Sequence, residues 1–359
     1  MAYESYAEFL EALEQAGELT HVSEPVATEL EITELADREM KKPGGGKALL
    51  IERPTVNGEI SPMPLAINTM GSAKRMAMAL GAESVDAVAE ELGSLVQAKP
   101  PTGLRETVAL LGQALGLRHA RPKKVRSGPC KEVIHRFDSP PSRTEPWPSA
   151  PDVNDPSTLT PNPSTLLDLP IIKCWPLDGG RFLTLPCVVT RDPDTGDRNL
   201  GMYRMQVYDD QSTGMHWQLQ KVAARHGRRY YETGERMPVA VFLGGDPVYP
   251  FCATAPMPDG LDEFLLAGYL RRKSVEMVQC ETCDLEVPAN ADIVIEGYVD
   301  PTEPLRDEGP FGDHTGYYTL PEPYPVFHIT AITHRKKATY PATIVGIPPM
   351  EDFYMGSAS

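Results

Sequence analysis

The chain has 359 residues, of which 41% are hydrophobic and 23% are charged. These values are typical of a globular protein with two or three domains and a core of substantial size. The net charge of −16 argues against nucleic acid and anionic membrane surfaces as partners, because both repel a polyanion. An anionic cofactor would need a local group of cations or a metal ion.

The targeting and cysteine signals favour a cytoplasmic protein with reduced thiols. The N-terminus is acidic and amphipathic, unlike a secretory signal, and no apolar run is long enough to span a bilayer. The six cysteines are scattered through a chain that is large enough to fold without cross-links. Cys280 and Cys283 form a Cys-x-x-Cys pair, but a zinc site usually needs a second pair. We interpret them as small apolar residues of a strand, with metal or redox use as the alternative.

Residues 1–120 predict an N-terminal α/β domain. Apolar residues at helical spacing predict a helix over 4–16, and KALLIERP predicts a strand. The loop PGGGK at 43–47 lacks the glycine spacing of a phosphate-binding loop, so we predict a flexible turn there. Further helices are expected over 28–41, 71–81, 84–98 and 103–116.

Residues 121–348 predict a second domain that is rich in strands, so the predicted fold class is α+β. The proline-dense stretch 139–170 predicts a long extended connection. Strands separated by Gly, Pro and Asp turns then indicate a β-barrel-like domain, with one helix over roughly 260–270. The predicted strands are FLTLPCVVTRDP, RNLGMYRMQVYDD, MPVAVFLGG, VEMVQCETCDLEVP, ADIVIEGYVD, YPVFHITAITHR and ATYPATIVGIPP. Residues 349–359 stop after a strand and a Pro-Pro turn, which we interpret as the truncated start of a C-terminal region.

The segment RNLGMYRMQV, at 198–207, has the pattern of a strand that could line a site. Alternation along a strand places Asn199 and Gly201 on the same face as Tyr203. Arg204 then projects to the opposite face unless a bulge intervenes. An amphipathic strand with surface arginines explains the pattern equally well.

The segment GMHWQLQK, at 214–221, is dense in hydrogen-bonding side chains around one of three tryptophans. Such a run is poor material for a core and favours a surface that contacts a polar aromatic ligand. A solvated strand with one buried tryptophan is the alternative.

The segment EGPFGDHTGYY, at 308–318, holds two acids across a Gly-Pro pair. Glu308 and Asp313 cannot share a helix face, because Pro removes a backbone donor and Gly weakens a helix. We therefore predict a shaped turn that holds both carboxyls. Glu263 is a possible companion, although the helix dipole alone also favours an acid in a first helical turn. Acids and cations of this kind suit proton transfer beside a cofactor that supplies an electron sink.

These segments, in this order, resemble the UbiD family of decarboxylases, which use prenylated FMN. The resemblance covers nearly the whole chain and implies a split β-barrel domain that binds the flavin, without the family's usual third domain. It also implies that the flavin phosphate is held through Mn²⁺ or Mg²⁺ and K⁺. The resemblance rests on RNLGMYRMQV, TGMHWQLQK, DEFLLAGYLRRK, CDLEVPANADIVIEGYV and EGPFGDHTGYY.

The resemblance also implies a set of cofactor-binding residues. Asn199 and Glu263 would be metal ligands, with oxygen donors that suit a hard cation. Gln220 falls where the family usually has a metal-binding histidine, and a glutamine oxygen is a weaker ligand. The remaining cofactor contacts would be Met202, Tyr203, Arg204, His216, Trp217, Gln218 and Lys221.

The family's catalytic acid, arginine and acid fall on Glu308, Arg204 and Asp313. Asp313 would return a proton to the substrate carbon, and Glu308 would share Arg204 with it, so that the pair retains one proton between them. This implies reversible decarboxylation of an aromatic or α,β-unsaturated acid. The alternative is a non-catalytic flavin- or protein-binding remnant of the same fold, which Gln220 and the short C-terminus favour. A flavin prenyltransferase would supply the cofactor, and the full-length form would be a homo-oligomer.

Overall fold

The fold is α+β, as predicted from the sequence. The computed structural model describes residues 2–96, 118–137, 164–217, 222–255, 257 and 260–357. Within these residues, no helix combines the length and the apolar character that crossing a membrane requires. The described helices are α1 (Tyr6–Gln15), α2 (Glu31–Met40), α3 (Ala73–Ala79), α4 (Val85–Val96), α5 (Val222–Thr233), α6 (Val248–Thr254), α7 (Glu263–Arg271) and α8 (Glu351–Ser357).

Most of the described strands are short, and the three longest lie together in one central sheet. The strands are β1 (Leu19–Val22), β2 (Val26–Ala27), β3 (Ala48–Ile51), β4 (Pro54–Val56), β5 (Glu59–Ile60), β6 (Leu65–Ile67), β7 (Lys123–Val125), β8 (Val133–Arg136), β9 (Phe182–Leu183), β10 (Cys187–Arg191), β11 (Arg198–Met202), β12 (Met205–Gln206), β13 (Ser212–Gly214), β14 (Met237–Leu243), β15 (Glu276–Gln279), β16 (Glu286–Pro288), β17 (Ile293–Val299), β18 (Arg306–Glu308), β19 (Phe311–Gly312), β20 (Tyr318–Thr319), β21 (Glu322–Tyr324), β22 (Val326–His334) and β23 (Tyr340–Ala342).

The central sheet is antiparallel, and a hydrophobic cluster packs on each of its two faces. Its strand order is β11-β10-β14-β17-β22-β13, with β8 also paired to β22. Along β14, Val239 and Val241 pack into one hydrophobic cluster, whereas Ala240 and Phe242 pack into another. Since successive side chains of a strand point to opposite faces, the sheet is covered on both sides. This is why β14 and β17 are nearly continuous apolar runs in the sequence.

The N-terminal sheet is completed by a strand from the far end of the chain. Its order is β1-β3-β6-β23, and β23 pairs with β6 in parallel. Residues 340–342 therefore join the N-terminal sheet, although the sequence-based boundary assigns them to the second domain. The two regions share their cores rather than meeting at a thin linker.

Helix α1 confirms the first predicted element. Ser5 caps the helix, since its hydroxyl accepts a hydrogen bond from the N–H of Glu8 at 3.1 Å. Phe9 and Leu13 are buried on one face. Both signals are local, so the sequence alone carries them. Helices α2, α3 and α4 confirm three further predictions, and the helix predicted over 103–116 lies outside the described residues.

The prediction of a single helix among the later strands is wrong, because α5 and α6 also lie there. The buried positions of α5 include Ala223, His226 and Gly227, so its buried face has few large apolar side chains to mark it in the sequence. Helix α6, VYPFCAT, is apolar throughout and contains Pro250, so its pattern does not distinguish it from a short strand.

The PGGGK loop is a turn, as predicted, and its backbone is held by side-chain hydrogen bonds and close packing. Arg75 donates hydrogen bonds to the carbonyl oxygens of Gly45 and Gly46 at 3.1 and 2.6 Å. Gly45 has φ of +84°, and a Cβ atom there would lie 1.8 Å from the carbonyl oxygen of Gly71. Only glycine fits both conditions, so the turn is specified by packing.

Candidate active site

Arg204 lies at a break between β11 and β12, where the strand pattern ends. Its Nε and Nη2 atoms donate to the two carboxylate oxygens of Glu308 at 2.9 and 3.2 Å. Its Nη1 atom donates to Oδ2 of Asp313 at 2.9 Å. The guanidinium also lies over the ring of Phe311, 4.5 Å from its centroid. The structure therefore brings together the three residues that the sequence analysis grouped as catalytic.

A turn followed by the short strand β19 separates the two acids, so that Glu308 precedes the turn and Asp313 follows the strand. Glu308 ends β18, and β19 begins three residues later at Phe311. Gly309 has φ of +102°, which requires glycine, and its peptide bond to Pro310 is cis. β18 pairs with β21 and β19 pairs with β20, so two small hairpins fix the separation of the carboxyls.

Glu308 is the buried member of the pair and has a second partner. Its side chain is fully buried, whereas that of Asp313 is 23% exposed. Nδ1 of His216 lies 2.9 Å from Oε2 of Glu308. His216 in turn packs on the ring of Tyr324, with 4.3 Å between the ring centroids. Asp313 is the most exposed of these four side chains, since Arg204 and His216 are 11% and 15% exposed.

Both carboxyls have lowered pKa values. Burial raises the pKa of Glu308, but hydrogen bonds from His216 and Arg204 outweigh it, so the net direction is down. Burial likewise raises the pKa of Asp313, and hydrogen bonds from His314 together with the charge of Arg204 reverse the direction. These directions favour two ionised carboxyls at neutral pH. They give no support to the predicted retention of one proton by the pair.

We expect Glu308→Gln to reduce the loss of unfolding free energy that the wild type shows at acid pH. The folded pKa of Glu308 lies below the unfolded value of 4.5, so its ionised form contributes stability above that pH. This contribution is lost as the pH falls through the folded pKa. In urea titrations, the difference in unfolding free energy between wild type and variant should therefore shrink below about pH 4.5. Glu59→Gln, on an exposed strand, is the control. A difference that stays constant with pH would contradict this.

Asn199 and Glu263, the two described residues of the expected metal site, lie beside each other in the fold. Both are buried, and Glu263 begins α7 with Asp262 as its N-cap. Oε2 of Glu263 accepts a hydrogen bond from the N–H of Leu200, the residue after Asn199, at 2.8 Å. Burial raises the pKa of Glu263 to about 7. The third expected ligand, Gln220, lies outside the described residues.

The oxygen donors fit a hard divalent cation. Burial is the main cause of the raised pKa of Glu263 and outweighs the charge of Arg198, and a bound metal ion would stabilise the ionised carboxylate. Among the described residues, no hydrogen bond of standard geometry reaches the buried amide nitrogen of Asn199, which lies beside the hydroxyl of Tyr203. Carboxylate and amide oxygens are ligands that Mn²⁺ and Mg²⁺ accept.

The other expected cofactor contacts are divided between core and site. Tyr203 and Trp217 are buried in one hydrophobic cluster, and Met202 packs at the edge of the other. Trp217 packs against α5, where a Cβ atom on Gly227 would lie 3.3 Å from its ring. The tryptophan is thus a core residue, and its neighbour His216 is the one that reaches the carboxyl group. Gln218 and Lys221 lie outside the described residues.

Two site residues were missed by the sequence reasoning. Thr319 accepts a hydrogen bond from Nη2 of Arg204 at 3.2 Å. Tyr324 packs on His216 and also borders a cavity of about 490 Å³, whose other walls include Trp217, Tyr231 and Leu305. The only available signal was that both residues follow closely after the EGPFGDHTGYY turn, since their contacts depend on hairpin pairing.

Two family models match the chain. The N-terminal domain of 3-octaprenyl-4-hydroxybenzoate carboxy-lyase matches residues 10–96. The Rift-related domain of the same carboxy-lyase, UbiD, matches residues 149–348. The second match alone covers more than half of the chain, so the chain belongs to the UbiD family.

Relatives in other organisms agree with this assignment. An uncharacterized protein of Archaeoglobus fulgidus is 45% identical over 100% of this chain and 67% of its own length. One of Helicobacter pylori is 40% identical over 97% of this chain and 53% of its own length. The chain therefore spans between about half and two thirds of these relatives.

Solved structures of UbiD-class enzymes share the fold. An evolved dimeric form of HmfF from Pelotomaculum thermopropionicum, in complex with prFMN, is 27% identical with a TM-score of 0.78, over 99% of this chain and 70% of its own. The complex of HmfF with FMN has a TM-score of 0.77 at 27% identity, over 99% and 67%. Vanillic acid decarboxylase of Sedimentibacter hydroxybenzoicus, at 24% identity and a TM-score of 0.78 over 99% and 67%, supports the fold alone.

Proposed function

We propose that this chain belongs to a prenylated-FMN-dependent enzyme that reversibly decarboxylates an aromatic or α,β-unsaturated acid. The observation that carries this proposal is the bridging of Glu308 and Asp313 by Arg204. It is supported by the HmfF structures, which bind prFMN or FMN. Prenylated FMN, when bound, would supply the electron sink for the carbanion that loss of CO₂ leaves.

In this proposal the role of each of the three residues follows from how deeply its side chain is buried. Glu308 is fully buried and bonds Arg204 through both oxygens, so it fixes the orientation of the guanidinium. Arg204 then positions Asp313, the more exposed carboxyl. Asp313 is the group with access to a substrate and gives a proton to the carbon that carried the carboxylate.

Asp313 must be protonated at that step, although its pKa is lowered in the structure. A bound carboxylate substrate would place a negative charge beside it and exclude water, and both effects raise the pKa of a carboxyl group. Asp313 would therefore take up a proton as the substrate binds. The apolar walls of the nearby cavity, which include Trp217 and Tyr324, suit an aromatic or unsaturated acid.

The metal ligands proposed here are Asn199, Glu263 and Gln220, with Mn²⁺ or Mg²⁺ as the ion and K⁺ as a second cation. They would hold the flavin phosphate in a protein whose net charge is −16. The proposal also includes a flavin prenyltransferase as the supplier of the cofactor and a homo-oligomeric full-length form.

Replacing Glu263 with Gln is expected to weaken Mn²⁺ binding by at least about 10-fold, because a carboxylate ligand is lost. Binding is measured by electron paramagnetic resonance of Mn²⁺ with FMN present, which does not depend on turnover. Glu276→Gln, on an exposed strand position, is the matched control and should bind as wild type does. Equal Mn²⁺ affinity in all three proteins would remove Glu263 from the metal site.

The whole proposal is tested by expressing the chain together with a flavin prenyltransferase, with Mn²⁺ and K⁺ added. We expect the purified protein to retain prenylated FMN, as seen in its absorbance spectrum and in the mass of the released ligand. Incubation with a panel of aromatic and α,β-unsaturated acids then measures decarboxylation. Protein that retains cofactor but turns over none of the acids would favour the non-catalytic alternative. Protein that never retains the cofactor would end the active-enzyme proposal.

A further inference from the structure

Two cysteines and a glutamate meet at the tip of the hairpin formed by β15 and β16. The Sγ atoms of Cys280 and Cys283 and a carboxylate oxygen of Glu296 all lie within 4.8 Å of one another. Glu296 comes from β17 of the central sheet, where the register with β22 shifts between Glu296 and Gly297. Such a bulge re-aims a side chain, and here the carboxylate reaches the hairpin. We infer that these three side chains form a binding site for Zn²⁺.

The carboxylate of Glu296 is already held in place by the hairpin. It accepts hydrogen bonds from the backbone N–H groups of Glu281 and Thr282, at 2.7 to 2.9 Å, and one from the hydroxyl of Thr282 at 3.0 Å. Thr282 is itself bonded to Thr330 of β22 at 2.6 Å. Hydrogen bonds of this kind orient metal-binding carboxylates. Oε2 of Glu296 accepts three of them, whereas Oε1 accepts one and keeps a lone pair for a metal ion. The ligand geometry is therefore fixed by the fold.

The donor set matches the preference of zinc. Two thiolates and one carboxylate are common zinc ligands, and a site with three protein ligands leaves one position for water or another ligand. Cys280 and Glu296 are buried, whereas Cys283 is half-buried and is the most accessible of the three ligands.

Two cations lie near the cluster, and both pair with the carboxylate of Glu281. Lys131 forms an ion pair with Glu281 at 2.6 Å, and Arg136 pairs with the other oxygen of the same carboxylate. The hydrogen bond with Cys283 and burial raise the pKa of Cys280 well above its usual value, and the charge of Lys131 offsets only part of this. A bound zinc ion would deprotonate both thiols outright.

This inference revises the interpretation of the Cys-x-x-Cys pair as plain apolar residues. That interpretation relied on the lack of a second cysteine pair in the sequence. The third ligand is a glutamate from another sheet, which spacing along the chain does not reveal. The inference does not depend on the proposed decarboxylase function.

The test is zinc binding by the 359-residue chain, purified with a phosphine reductant and stripped of metal with a chelator. We expect about one equivalent of Zn²⁺ to bind, and Co²⁺ in its place to show a thiolate-to-cobalt charge-transfer band. That band identifies sulfur ligands and so separates this cluster from the oxygen-ligated site at Asn199 and Glu263. Cys283→Ser should lower the zinc affinity by more than about 100-fold, because a thiolate that ligates the metal directly is replaced by a weakly ligating hydroxyl.

Asp284→Asn is the matched control, because Asp284 is exposed in the same turn and contributes no ligand. It should bind zinc as wild type does, and a normal circular dichroism spectrum of Cys283→Ser would show that the variant is folded. Zinc binding that is equal in wild type and Cys283→Ser, or a cobalt complex without the thiolate band, would overturn the inference. So would mass analysis that finds Cys280 and Cys283 joined in a disulfide under the reducing conditions.

Discussion

Replacing Arg204 with Met is expected to lower the free energy of unfolding by about 3 kcal/mol and to abolish turnover. The loss arises because Glu308 is fully buried and would lose the cation that bonds both of its oxygens. Removing one partner of a buried pair is costly, since the other charge stays buried without compensation. Urea denaturation at neutral pH measures the change.

A double-mutant cycle separates this pairing from simple loss of packing. Adding Glu308→Gln to Arg204→Met removes the uncompensated charge, so the double variant should be more stable than Arg204→Met alone. Arg38→Met is the control, because Arg38 pairs with Glu34 on an exposed helix face and should change stability by less than about 1 kcal/mol. If Arg204→Met is as stable as wild type, Arg204 does not compensate the buried carboxyl.

Replacing Asp313 with Asn is expected to slow decarboxylation by about 10² to 10⁴-fold while leaving the fold and cofactor retention intact. An amide keeps the hydrogen bond geometry near Arg204 but cannot give a proton to carbon. Asp313 is partly exposed, so the substitution should be tolerated. The readout is deuterium incorporation into the product in heavy water, together with the rate.

Asp307→Asn provides the comparison for this second prediction. Asp307 lies next to Glu308 on the neighbouring strand β18 but is exposed, so its replacement should leave both the rate and the deuterium incorporation unchanged. A merely structural role of Asp313 would change stability or cofactor retention and leave protonation at the substrate carbon alone. If Asp313→Asn retains the full rate with normal deuterium incorporation, another group is the proton donor.

The success of each sequence-based prediction depended on whether its signal was local. Helix α1 was predicted because its apolar face lies within one segment of the sequence. The turn after Glu308 was predicted for the same reason, since Gly309 and Pro310 stand in the sequence itself. Helices α5 and α6 were missed because their buried faces carry small or uniformly apolar residues.

In the candidate site, the sequence could name residues, but only the fold shows which of them contact each other. Glu308, Asp313 and Arg204 could be grouped only through resemblance to a family, because Arg204 is far from the other two along the chain. The contact of His216 with Glu308 was not predicted, and it exists because β13 and β18 lie close together in the fold. The directions of the carboxyl pKa values follow from these contacts, so the sequence could not supply them.

By itself the sequence determined the α+β class, most of the early helices and the turn that holds two acids. Only the tertiary structure decided which groups meet: Arg204 with its two carboxyls, and Glu296 with the Cys-x-x-Cys hairpin. The physical reason is the distance along the chain over which each kind of interaction acts. Caps, periodicity and turn residues act between neighbours in the chain, whereas ion pairs and ligand clusters are formed by strands that pair across long separations.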